Sequence, residues 1–228
     1  MQVVGVLGAD IDIKVIREGK VGSRGERLTI ATNFGHYGLP PPAGLLRLDT
    51  HKHPFRSDLQ EVLHAVIGDP PYGVRAGGKK SGARPEQAER RPPITDRATH
   101  IPATQPYTLG ECLRDLLDLS ARLLVVGGRL VYFLPATPDA YDEAEVPAHP
   151  ALRLVANSEQ ILTTRYSRRL VTMEKIAPYD AAAAAAAHAA RPDPTLAIDR
   201  LHDIVYEQAP AGQPEGAAPR RRCRGKLF

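Results

Sequence analysis

One short string does most to limit what this chain can become. Residues 61–67 (Glu-Val-Leu-His-Ala-Val-Ile) are rich in β-branched side chains and stop at Gly68-Asp69-Pro70-Pro71-Tyr72. The first part reads as a strand, because Val and Ile suit a pleated, half-buried surface. Two prolines then end it, since neither can donate to a sheet ladder or continue a helix. The result is an acid at the carboxyl end of a strand with stiff backbone behind it.

The same arrangement recurs along the chain. Residues 1–10 read as a buried strand ending at Asp10, and residues 11–20 open a helix. Residues 45–48 form a second apolar run ending at Asp49, set apart by the loop-forming Pro40-Pro41-Pro42. Thr108 and Glu111 predict a capping box ahead of Leu109, Leu113, Leu116, Leu117, Leu123 and Leu124, which share one helical face; Gly127-Gly128 is expected to end that helix. Residues 129–134 predict a strand closed by Pro135, and residues 152–162 and 169–176 predict a final hairpin joined by a polar turn at 163–167. Strands alternating with helices imply an α/β fold around a mostly parallel sheet, with antiparallel strands at one edge. Ligands of such sheets bind at the carboxyl ends of the strands, where Asp10, Asp49 and Asp69 fall.

Residues 73–106 carry many Gly, Pro, Lys and Arg residues without an apolar period and read as a long basic loop. Beside a pocket, Arg75, Lys79 and Lys80 would pair with phosphates; a solvated insertion is the plain alternative. Residues 181–187 are all alanine, and the Pro- and Arg-rich remainder lacks the apolar density to fold alone. Residues 1–180 are therefore expected to form the domain, and 181–228 a low-complexity, largely disordered tail with one short helix near 196–207.

Composition narrows the classes further. A chain of 228 residues with 43% hydrophobic content supports one α/β domain. It has no apolar run of about 18 residues and no secretory leader pattern, so a soluble, cytoplasmic protein without membrane contact is expected. Cys112 and Cys223 stand far apart, and the eight histidines lack acidic or cysteine partners at ligand spacing. No disulfide framework or metal site is expected, and His51 and His53 read as surface residues. A net charge of +4 and an isoelectric point near 9.1 permit a polyanionic partner. Neither a Gly-x-Ser-x-Gly elbow nor a Walker-type phosphate loop occurs, which removes support for hydrolase and P-loop readings.

Asp69-Pro70-Pro71-Tyr72 has a specific chemical use. An exocyclic amine on a nucleic-acid base is a poor nucleophile because its lone pair is delocalised into the ring. The Asp69 carboxylate and a main-chain carbonyl in the Pro70-Pro71 unit are acceptors able to hold both N–H groups out of the ring plane, localising the lone pair toward an electrophilic methyl. Tyr72 offers an aromatic face for a flipped-out base, worth roughly 1–3 kcal/mol where such platforms are tested. The competing reading is a simple turn in a chain with 21 prolines. Asp10 fits the acid that accepts the two ribose hydroxyls of a nucleoside cofactor, and Asp12 fits the same role; for either acid a helix N-cap is the plain alternative. Asp49 fits either an acceptor for an adenine amino group or a turn opener.

Four blocks together resemble a known family: residues 8–12 (Gly-Ala-Asp-Ile-Asp), 69–75 (Asp-Pro-Pro-Tyr-Gly-Val-Arg), 127–135 (Gly-Gly-Arg-Leu-Val-Tyr-Phe-Leu-Pro) and 167–175 (Ser-Arg-Arg-Leu-Val-Thr-Met-Glu-Lys). The chain resembles, from about Val4 to Ile176, the catalytic subunits of eukaryotic tRNA (guanine-10-N2)-methyltransferases; residues 146–150 (Val-Pro-Ala-His-Pro) also fit. That resemblance implies a class I methyltransferase (Rossmann-like) fold, S-adenosylmethionine as donor and transfer to a guanine N2 amine in tRNA. It implies Asp10 as the ribose acid, Asp49 as the adenine-side acid, and Asp69 to Tyr72 as the catalytic loop. It also implies a heterodimer with a small activator subunit that carries its own zinc. The family's tRNA-binding THUMP region, first strand and glycine-rich cofactor loop have no counterpart here, so the sheet is expected to be incomplete at the N-terminus, as in an N-terminally truncated chain. Methylation of adenine N6 or of a protein glutamine uses a similar loop, but the 167–175 block argues against both. A non-catalytic fragment that binds RNA or the activator is the alternative from another class.

Overall fold

The structure, a computed structural model, describes residues 5–71, 78–82, 103–137, 141–163 and 167–191. Two sheets carry most of it. The first is a parallel pair of β1 (Leu7–Asp10) and β4 (Gly44–Arg47), with Asp10 opposite Arg47. Between them lie α1 (Ile13–Arg17), the small hairpin of β2 (Lys20–Val21) and β3 (Arg27–Leu28), and α2 (Ile30–His36). Pro40-Pro41-Pro42 forms the connecting loop, as its lack of N–H donors requires.

The second sheet has four strands in the order β5-β8-β10-β9. β5 (Leu63–Gly68) runs parallel to β8 (Leu124–Ala136), and β10 (Ser167–Lys175) pairs antiparallel with both β8 and β9 (Leu152–Ile161). The expected closing hairpin is therefore present, and β1 and β5 each have one strand neighbour among the described residues.

The core lies between the four-stranded sheet and α3 (Leu109–Leu123). The capping box forms as expected: Glu111 N donates to Thr108 Oγ1 and Thr108 N to Glu111 Oε2. Helical spacing then directs Leu109, Leu113, Leu117 and Ala121 onto Leu130, Tyr132 and Leu134 of β8 and Val171 and Met173 of β10. Each of the leucine, valine and methionine side chains among them contributes about 1.5–3 kcal/mol by leaving water. Lys175 is fully buried at the far end, donating to Leu124 O at 2.7 Å and Glu61 Oε1 at 3.1 Å.

Three expectations need correction. Gly127-Gly128 does not end the helix, which stops at Leu123 and passes directly into β8; Leu-Leu-Val-Val favours strand over a further turn. The glycines instead form an irregularity in the ladder, where Leu63 lies opposite Leu124 but Ala65 opposite Arg129; Gly127 takes φ +84°, and a Cβ on Gly128 would sit 2.8 Å from Val125 O. The segment 73–106 is not loop throughout: β6 (Gly78–Ser81) pairs antiparallel with β7 (Thr104–Tyr107), a short polar hairpin whose hydrogen bonds leave no apolar period in the sequence. The alanine run is a helix, α4 (Ala181–Ala190): alanine has the highest helix propensity, and Asp180 caps it by accepting from Ala182 N and Ala183 N. Residues 192–228, with the helix expected near 196–207, lie outside the described residues. No described helix is long and apolar enough to cross a membrane.

Candidate active site

The site is built at the carboxyl ends of β1, β4 and β5. Asp10 ends β1, and its Oδ1 accepts from Asp12 N at 2.7 Å, folding the chain back into α1. Its Oδ2 accepts none of the described hydrogen bonds and remains an available acceptor. Asp12 takes the capping role: its Oδ1 accepts from Lys14 N at 2.9 Å and so satisfies an otherwise orphan donor of α1.

Asp49, two residues beyond β4, is only 9% exposed. Its Oδ1 accepts from His51 N at 2.9 Å and its Oδ2 from Ser81 N at 2.5 Å, which ties the end of β4 to the β6-β7 hairpin. The next residues extend the tie to α3. His51 Nδ1 lies 2.8 Å from Asp115 Oδ2, and Tyr107 OH donates to the same oxygen at 2.5 Å, with Thr50 Oγ1 3.4 Å from the Tyr107 hydroxyl. Burial, together with that bond to a carboxylate, raises the Tyr107 phenol far above its ordinary value. Burial likewise pushes the Cys112 thiol, one turn ahead of Asp115 on α3, up to about 12; it is a packed, inert thiol.

The expected phosphate-binding lysines divide. Lys79 is exposed on β6, whereas Lys80 is already paired, its Nζ 2.8 Å from Glu111 Oε1 and 5.2 Å from the Tyr107 ring centre. Burial alone would raise the Glu111 carboxyl, but the hydrogen bonds from Lys80 and from the Thr108 backbone outweigh it and hold it below the usual range. The charge of Lys80 thus serves the junction of hairpin and helix. A lysine in a basic run reads as solvated; its acid lies 31 residues away.

Asp69 directly follows β5 and is exposed, Pro70 is buried, and Pro71 is exposed. The hairpin backbone presses on this loop: a Cβ on Gly78 would lie 2.5 Å from Tyr107 O and 3.3 Å from Pro71 Cγ. Only glycine allows that approach. Tyr72 and Arg75 lie outside the described residues. The structure thus brings Asp49, the β6-β7 hairpin and the Asp69-Pro70-Pro71 loop into one connected assembly; Asp10 ends the neighbouring strand β1, its main-chain oxygen accepting from Leu48 N beside Asp49, while Asp12 caps α1. Sequence reasoning missed the His51–Asp115–Tyr107 cluster. No local signal could have found it, because His51 and Asp115 are 64 residues apart.

A mixed α/β architecture in which the parallel strands β1, β4 and β5 lead into acids, one of them followed by two prolines, fits a methyltransferase fold. Comparison with known proteins agrees. Over 76% of its length the chain is 43% identical to a Dictyostelium discoideum protein named tRNA (guanine(10)-N(2))-methyltransferase TRMT11, and over 77% it is 37% identical to the proteins of that name from Bos taurus and Homo sapiens. The chain is thus a homologue of the tRNA (guanine(10)-N(2))-methyltransferases across about three quarters of its residues. It spans 33% of the Dictyostelium protein and 39% of the two mammalian ones. No family model matches the chain.

Proposed function

We propose that these residues form the catalytic region of a class I, S-adenosylmethionine-dependent methyltransferase acting on the N2 amine of a guanine in tRNA. The observation that carries the reading is the position of Asp69-Pro70-Pro71 at the carboxyl end of β5, in a chain so similar to enzymes named for that reaction. S-adenosylmethionine, when bound, supplies the electrophilic methyl group.

The chain's own groups do the rest. Asp69 accepts one amine N–H and a carbonyl of the diproline unit accepts the other, holding the amine pyramidal so that its lone pair faces the methyl. The buried Pro70, the two fixed φ angles and the close contact of Gly78 with Pro71 preorganise those acceptors. Tyr72 stacks the base and, with Arg75 and Lys79, meets the RNA. The free oxygen of Asp10 supports its role toward the cofactor ribose. Asp49 fits an adenine amine less readily: each of its oxygens keeps a second lone pair, but Ser81 covers one and His51 the other. Its engagement would need β6 to shift. A small zinc-carrying activator subunit is the proposed partner, and the cytoplasm the proposed compartment.

Labelled methyl transfer to tRNA, DNA and protein, assayed in parallel, tests the reading. Label should enter tRNA alone, and Asp69→Ala should lower kcat by roughly 10²–10³-fold with donor binding retained. Label in DNA or protein only, or full activity of Asp69→Ala, would overturn it.

A further inference from the structure

The start of β10 carries two adjacent arginines, and the sheet gives them opposite surroundings. Alternation along β8 and β10 buries Leu130, Tyr132, Leu134, Val171 and Met173 against α3, so Phe133, Arg168 and Leu170 project from the other face. Arg169, on the α3 face, is fully engaged: its Nε donates to Asn157 Oδ1 at 2.7 Å, its Nη1 lies 3.7 Å from Glu159 Oε2, and its guanidinium stacks 3.8 Å above Tyr141. Arg168 is held but not neutralised. Its Nε donates to Gln160 Oε1 at 2.7 Å and its guanidinium stands 4.0 Å from the centre of the Phe133 ring, yet among the described residues no carboxylate pairs with it.

Register places that cation near the candidate site. Gly68 of β5 lies opposite Tyr132 of β8, and Arg168 opposite Pro135, so the antiparallel β10 begins at the end where β5 delivers Asp69. Two strand spacings, about 10 Å, separate β5 from β10. Gly68 faces α3, since a Cβ there would touch Leu116; Ile67, one residue earlier, is therefore on the same face as Phe133 and Arg168, and it is 82% exposed. Among the described residues this face leaves two arginines without a carboxylate partner, Arg129 at the end of β8 away from Asp69 and Arg168 at the near end, and only Arg168, stacked on Phe133, has a fixed plane.

We propose that Arg168 binds a backbone phosphate of the RNA substrate and so sets the reach of the nucleotide whose base enters at Asp69. With Nε committed to Gln160 and the plane fixed by Phe133, the terminal Nη groups form a ready fork for phosphate oxygens. A lysine at this position would supply charge without the fork or the stack. Arg168 is a positioning residue, and the proposal rests on the tRNA reading given above.

The test measures tRNA binding by this chain across a salt series without methyl donor, and methyl transfer separately. Arg168→Gln should flatten the dependence of log K on log salt by about one unit and raise KM for tRNA with kcat little changed. Arg168→Lys should keep the salt slope but bind more weakly, and Phe133→Leu should do the same. Should Arg168→Gln fail to fold, the lysine variant decides, and wild-type affinity there overturns the proposal. So does an unchanged slope in a folded Arg168→Gln, or a wild-type chain that binds no tRNA. A wild-type chain that binds tRNA with the Arg168-dependent slope but transfers no methyl sinks the catalytic reading and leaves this one standing.

Discussion

Residues 5–62 and residues 103–191 are built by different forces. All the buried hydrophobic side chains of the core fall between Tyr107 and Ala184. The earlier region contains four strands and two helices, yet its only buried residue is Asp49, and neither α1 nor α2 buries a side chain. Hydrogen bonds specify its shape instead: Asp12 caps α1, Thr29 and Thr32 form a reciprocal capping box on α2, and Gly22 N donates to Glu26 O in the β2-β3 turn. Each such bond nets only about 0.5–1.5 kcal/mol, since the unfolded chain bonds equally to water. Local geometry is thus well determined where stability is low, and the Asp10 end of the candidate site stands on the weaker support.

The sharpest way to break this contrast is a matched pair of truncations. Leu113→Ala opens a cavity in the centre of α3 and should cost about 2–5 kcal/mol in urea denaturation. Leu28→Ala, at a side chain already half exposed on β3, should stay within about 0.5 kcal/mol. Equal losses would show that the first region shares the core after all. The caps make a second pair. Thr108→Ala removes the acceptor for Glu111 N and should lower global stability by about 1 kcal/mol. Thr29→Ala deletes the same chemistry from α2, and the expected outcome is faster amide exchange at Thr32 and Asn33 with an unmoved denaturation midpoint. A shifted midpoint would sharpen the picture into one cooperative unit.

What was legible in the sequence follows the same division between local and distant causes. The ends of β1, β4 and β5, the Thr108 box and the β9-β10 hairpin are written in contiguous residues: an apolar run, then a breaker or a cap. Gly127-Gly128 misled because two glycines punctuate a helix and a bulged strand alike, and only pairing with β5 decides between them. The β6-β7 hairpin was invisible because Lys, Ser, Thr and Gln pair through backbone without an apolar stripe. The ion pairs and hydrogen bonds of the candidate site were out of reach for a simpler reason. Ser81 to Asp49, Lys80 to Glu111 and His51 to Asp115 join residues 31 to 64 positions apart. The difference between Arg168 and Arg169 likewise depends on which face of the sheet each occupies, and that required the register.

The smallest expected effects are those of pH, and they separate the two regions by window. In α3, burial would raise the Asp118 carboxyl, but the His149 imidazole at 3.4 Å and the Tyr179 hydroxyl at 3.1 Å hold it below its ordinary value. A carboxyl depressed on folding stabilises the native state above its unfolded pKa of about 4, and that contribution disappears as pH falls through the folded value. Asp118→Asn should therefore flatten the acid limb of stability against pH. His53 behaves differently. Burial, and then the charge of Arg122, lower its imidazole below 6.5, so its neutral form is favoured in the native state. Its unfolded form takes up a proton first as pH drops, and stability declines from about pH 6.5 downward until the folded pKa is passed. Because Arg122 also donates to the carbonyls of Arg56 and Leu59, charging His53 weakens a seam between the two regions. Denaturation at closely spaced pH values should show this shallow decline near neutrality in the wild type and its absence in His53→Gln. A decline that survives that substitution would assign the seam's pH response to another group.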